Sequence, residues 1–90
     1  MTWNYRVIKK EHEPLNEFDD GVTYSIHEVY YDKHGDIEAW TLKAIGLGDF
    51  DDMDDLKGSM ELMQKAFDKP VLLLTTINED GAEKEKLIEL

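Results

Sequence analysis

The chain has no cysteine, which removes disulfide staples, thiolate metal sites and cysteine nucleophiles together. No stretch of it approaches the roughly 18 apolar residues that a membrane-crossing helix requires. The N-terminal "MTWNYRVIKKE" carries neither a long apolar run nor a cleavage-site pattern, so no signal peptide is expected and the expected location is the cytoplasm. Positive charge is scarce as well. Ten basic residues face 21 acidic ones, for a net charge of −11. Residues 1–45 hold −4 of it and residues 46–90 hold −7. Nucleic acid and anionic membranes should repel such a chain, and basic surfaces should attract it.

What is present points to a folded domain. Ninety residues make one core, and 41% apolar content with two tryptophans, four tyrosines and three phenylalanines exceeds what a disordered acidic chain carries. "TWNYRVIKK" reads as a strand, with Trp3, Tyr5 and Val7 on one face and Asn4, Arg6 and Lys10 making the other mostly polar. Residues 11–21 hold Pro14, Asn16, Asp19, Asp20 and Gly21, all loop punctuation. "VTYSIHEVYY" is a second strand, whose alternation changes face between Ile26 and Val29; a bulge near His27 and Glu28 would reconcile its halves. "DKHGD" reads as a tight turn and "IEAWTLKA" as a third strand with Trp40 and Leu42 on one side. "IGLGDFD" connects it to the next element.

That element is the clearest. Met53, Leu56, Met60, Met63 and Phe67 recur at spacings of 3, 4, 3 and 4, one continuous apolar stripe on a helix that Pro70 stops. "VLLLTTI" is then an apolar fourth strand, "NEDG" a turn, and "AEKEKLIEL" a charged tail expected as a short helix or a frayed end. The predicted architecture is α+β: a two-layer sandwich in the order β-β-β-α-β, with a mainly antiparallel sheet and one amphipathic helix packed on one face. Residues 1–78 would form the single domain and 79–90 the tail.

"DFDDMDD", residues 49–55, sets five aspartates in seven positions. A calcium loop of the helix–loop–helix kind needs an oxygen at its fifth position, glycine at its sixth and glutamate at its twelfth. Counting from Asp49, those positions hold Met53, Asp54 and Met60, so no metal site is expected. Helix chemistry accounts for three of the five: Asp52 as N-cap, Asp55 reaching back across the first turn, and Asp54 against the positive end of the helix dipole, with Lys65 and Lys69 at the other end. Asp49 and Asp51 remain. Their density suits a site for a basic protein better than an imitation of a duplex, which carries a charge every 1.7 Å or so.

Catalytic constellations are missing. His12, His27 and His34 show no metal-ligand spacing, Ser25 and Ser59 lack a nucleophile context, and no glycine-rich phosphate loop follows a strand. His27 beside Glu28 reads as a cross-strand polar pair. No enzyme and no cofactor are expected. The strand aromatics say more, because one helix cannot cover both faces of a sheet. The expected partner-binding residues are therefore Trp3, Tyr5, Tyr30, Tyr31 and Trp40 together with Asp49 and Asp51.

"WNYRVI", "YSIHEVYYD" followed by Gly35, "AWT", and the run Leu56, Met60, Met63, Ala66, Phe67 and "KPVL" resemble a family of short bacterial and phage proteins without an agreed activity. The likeness covers residues 2–74 or so. The strand–strand–strand–helix–strand order is also similar to the antitoxin domain of HicB-type toxin–antitoxin pairs. In those, the domain covers a small basic RNase toxin and a separate C-terminal segment binds DNA. Ninety residues leave little room for that segment, so direct DNA binding is not expected here; the chain also departs from the pattern in lacking the usual proline-glycine turn after the second strand. The expected function is a non-enzymatic, acidic protein-binding module, antitoxin-like or inhibitor-like, engaging a basic partner. The alternatives are a phage-type inhibitor covering the nucleic-acid-binding surface of a host protein, and a small homodimeric structural protein.

Overall fold

The first two strands, ten residues each, pair along their whole length. β1 (Thr2–Glu11) and β2 (Val22–Tyr31) form an antiparallel hairpin whose register runs unbroken from Thr2 opposite Tyr31 to Glu11 opposite Val22. The computed structural model that shows this describes residues 2–46 and 49–90; Leu47 and Gly48 of the expected connector lie outside the described residues. The hairpin's long loop is tied at its base by His12 N–H to the Gly21 carbonyl at 2.8 Å. Asp19 accepts from the backbone N–H groups of Leu15 and Gly21. Gly21 has φ +75, and a Cβ there would stand 2.7 Å from the His12 carbonyl oxygen, so only glycine closes this loop without a shift.

β3 (Ile37–Trp40) pairs antiparallel with the far end of β2, and its register slips between Tyr30 and Tyr31. It is shorter than the predicted strand: Leu42 lies beyond it, 89% exposed. After the helix, β4 (Leu72–Glu79) enters parallel to β1, with Ile8 opposite Leu72. A fifth strand follows. β5 (Ala82–Glu89) pairs antiparallel with all of β4, and the sheet order is β3-β2-β1-β4-β5. The chain is thus α+β, with a five-stranded mixed sheet and one α-helix among the described residues.

The fifth strand corrects the expectation of a helical or frayed tail and extends the β-β-β-α-β order by one. Its cause is local. Glu79 and Ala82 are paired, so Asp80 and Gly81 alone make the turn, with φ of 52 and 79. Two residues at positive φ form the hairpin turn whose twist matches its strands, and Asp-Gly is a preferred filling for it. β5 escapes a hydrophobic-pattern reading because it is charged nearly throughout and only Leu87 is buried.

Register assigns the faces. Trp3, Tyr5, Val7, Glu28 and Ile26 point to one side, where the helix lies; Arg6, Ile8, His27, Val29, Leu72 and Leu87 point to the other. The second side is the core. Ile8, Val29, Leu72 and Leu87 form its buried cluster, with Tyr31, Ile37, Trp40 and Leu74 packed against it. The change of face within β2 therefore needs no bulge at His27 and Glu28: both faces of the sheet take apolar residues, and the register there is continuous. The β1 face expected to be polar is instead the one that buries Ile8 and Arg6.

No helix among the described residues covers that core. A flat five-stranded sheet would hold its outer strands about 19 Å apart at roughly 4.8 Å per step. Here β3 and β5 line one cleft of 570 Å³ together with Arg6 and Tyr31. The sheet's twist leaves β3 and β5 flanking an open cleft over the core rather than meeting across it.

Candidate functional site

The helix begins as its sequence dictates. Asp52 takes an extended N-cap conformation, and its Oδ1 accepts from the Asp55 N–H at 2.8 Å. Asp54 and Asp55 fill the first turn, where the dipole favours negative charge. α1 (Met53–Gln64) then tightens into a 3₁₀ turn over Lys65–Asp68, and Lys69 is already extended ahead of Pro70. The 3₁₀ turn holds the helix to the sheet through Ala66, which is fully buried.

The stripe itself is not packed down. α1 buries no residue, and Met53, Met60 and Phe67 are 76%, 50% and 67% exposed. Between the helix and β2 runs a trough of 750 Å³, lined by Ile26 and Ile45 on the sheet side and by Met53, Leu56, Met60, Met63 and Phe67 on the helix side. Lys57, Glu61 and Gln64 are its polar lining. The expected helix-on-sheet packing is therefore corrected to a helix pinned at its C-terminal end and standing off the sheet elsewhere. A radius of gyration of 15.3 Å, against about 12 Å for a compact chain of this length, reflects the same openness.

The partner-binding residues expected from sequence fall in three places. Trp3, Tyr5 and Tyr30 lie on the helix face, where the Trp3 and Tyr5 rings meet edge to face at 5.2 Å. Tyr30 donates its hydroxyl to Glu28 Oε2 at 2.7 Å. That bond raises the Tyr30 pKa, and burial followed by the Glu28 charge raises that of Tyr5. Trp3 and Tyr5 also line a smaller cleft of 230 Å³ with Leu62, Lys65 and Lys69. Tyr31 and Trp40 lie on the opposite face against the core. Asp49 and Asp51 are exposed at the N-terminal end of α1, a helix length of about 18 Å from the Trp3 cleft. The five aromatics do not form one surface, and the two aspartates precede the helix end that carries Met53 of the trough.

Two buried polar residues complete the core face. Arg6 is 4% exposed; its guanidinium donates to Tyr31 Oη at 2.9 Å, the Pro70 carbonyl at 2.8 Å and Glu89 Oε1 at 3.1 Å. It thereby ties β1 to β2, to the end of the helical segment and to β5. Its Nε is buried with no partner among the described residues. His27 is fully buried and points away from Glu28, its neighbour in sequence. Nδ1 lies 2.9 Å from the Thr41 carbonyl and Nε2 2.9 Å from Ser25 Oγ. A carbonyl can only accept, so Nδ1 carries the proton and Nε2 accepts from the serine hydroxyl. Burial pushes the ring's pKa down, the Thr41 bond opposes, and the Lys10 charge adds to the lowering. This is a satisfied core histidine that fastens the chain after β3 to β2. Among the described residues no three His, Asp or Glu side chains converge as metal ligands, and no helix is long and apolar enough to cross a membrane.

No family model matches the chain, and no curated protein or solved structure shows significant similarity to it.

Proposed function

We propose that this chain is a non-enzymatic, acidic protein-binding module, antitoxin-like or inhibitor-like, that engages a basic partner. One observation carries the reading: an apolar helical stripe left unburied directly beside five aspartates. Exposed apolar area supplies affinity once a partner desolvates it, and neighbouring charge selects and steers that partner. A nucleic-acid ligand fits poorly, since the charge has the wrong sign throughout.

Self-association is the second reading, favoured by the same unburied stripe. The edge strand β5 argues against one form of it. Alternation sets Glu83, Glu85 and Glu89 on one face and Lys84 and Lys86 on the other. A symmetric antiparallel pairing of β5 with itself matches residues on the same face. Registers that overlap most of the strand therefore place glutamate against glutamate or lysine against lysine, which is destabilising.

The test is crosslinking and capture from the source cells, followed by binding kinetics of the purified pair. The proposal expects a basic partner whose association slows as salt rises and slows further for Asp49→Asn/Asp51→Asn, with little change in dissociation. An acidic partner, or an association rate indifferent to both salt and the double change, overturns it.

A further inference from the structure

Building on the binding-module reading, we infer that the trough between α1 and β2 receives an amphipathic basic helix of the partner protein. The walls set the first requirement. Met53, Met60, Met63 and Phe67 face Ile26 across an open trough of 750 Å³. Three methionines in one wall make it polarizable and adaptable, a surface that re-forms around an apolar ridge. A wall of α1's length, 12 residues, accommodates about three turns of a second helix lying alongside it. Such a helix presents its anchors at i, i+3 or i+4, and i+7, the pattern of helix-in-groove recognition.

Charge complementarity sets the second requirement. Residues 49–64 hold six acidic groups (Asp49, Asp51, Asp52, Asp54, Asp55 and Glu61) and one basic group, Lys57, for a net of −5. Lys65 and Lys69 follow at the far end. Positive charge on the partner helix is therefore placed at its end nearest Asp49–Asp55, and its apolar stripe runs on toward Phe67. A second copy of this chain in the trough would bring −5 against −5 at the one place where apolar contact is on offer, and like charges juxtaposed in an interface oppose association.

Fluorescence anisotropy with three labelled peptides of about 14 residues, roughly four helical turns, tests this. The first is an amphipathic leucine–lysine helix. The second has the same composition with the leucines displaced from the 3–4 spacing, and the third is an amphipathic leucine–glutamate helix. The first should bind at least about tenfold more tightly than either of the others. Met53→Gln/Met60→Gln, both at exposed positions where the fold tolerates change, should weaken it about fivefold or more, with circular dichroism unchanged. Equal binding of the rearranged peptide would mean diffuse charge attraction and would overturn the inference. Indifference to the glutamine variant would place binding elsewhere and overturn it too, as would a concentration-dependent dimer in sedimentation that the first peptide cannot dissociate. If in any of these cases a captured basic partner still associates in an Asp49- and Asp51-dependent way, the binding-module reading stands and only its assignment to the trough falls.

Discussion

Leu72 and Met60 are both large apolar residues in regular structure, and each belongs to a run that sequence periodicity identifies. Leu72 is fully buried on one face of the sheet; Met60 is half exposed on the other. The core face holds the buried cluster, with Ile37 and Trp40 packed against it, and it holds Arg6 and His27 with most of their polar atoms satisfied. The helix face offers comparable chemistry, yet among the described residues it buries only Val7 on the sheet and Ala66 on the helical segment. Stability is therefore concentrated on one side of the sheet, and the other side keeps apolar surface available. A domain of 90 residues has little burial to spare, so leaving Met53, Met60 and Phe67 exposed and Leu56 and Met63 only half-buried is costly unless something else covers them.

The largest effect should come from the core. Leu72→Ala should lose about 2–5 kcal/mol in urea unfolding, whereas Met60→Ala should stay within about 0.5 kcal/mol. Similar losses for the two would erase the contrast. Arg6→Ala comes next, at about 1.5–3 kcal/mol, because it strips donors from the Pro70 carbonyl and Tyr31. Glu89→Gln should cost far less, its side chain being 60% exposed.

The pH response sharpens the comparison further. The folded-state pKa of His27 lies below its unfolded value of about 6.5, so the folded state favours the neutral ring. Its contribution is complete above that unfolded value and is lost as pH falls through it toward the lower folded pKa. Urea midpoints should therefore drop between about pH 7.5 and 5.5, and His27→Gln should flatten that drop. An unchanged pH profile in the variant would show that the ring is not the cause. Smallest is Gly58→Ala. A Cβ there meets nothing within 4 Å, so the variant should gain about 0.5–1 kcal/mol. A loss would mean that something packs on that side of the helix.

These contrasts also explain what the sequence could reveal. The β1–β2 hairpin, the Asp52 cap and the stop at Pro70 are local events, and local residue chemistry specifies them. The α+β class follows from the same elements. β5 was missed because its charges mask the alternation, although Asp80-Gly81 between paired residues is a hairpin signal by itself. Arg6 and His27 were illegible for another reason. Their face looks polar along β1, and only the assembled sheet, with β3 and β5 flanking the cleft, turns it into a core. The trough was half legible: periodicity finds the stripe, and nothing in a periodicity says whether a stripe is covered.

The central claim is that α1 is attached to a stable sheet without being part of its core, and native-state hydrogen exchange measures this directly. In the isolated protein, amides of Met53–Gln64 should exchange through local opening, with protection orders of magnitude below that of the Ile8 and Val29 amides. Addition of the amphipathic leucine–lysine peptide should slow the helix amides and leave the strand amides as they were. Helix protection equal to that of the central strands, in a chain shown to be monomeric under the same conditions, would contradict the account.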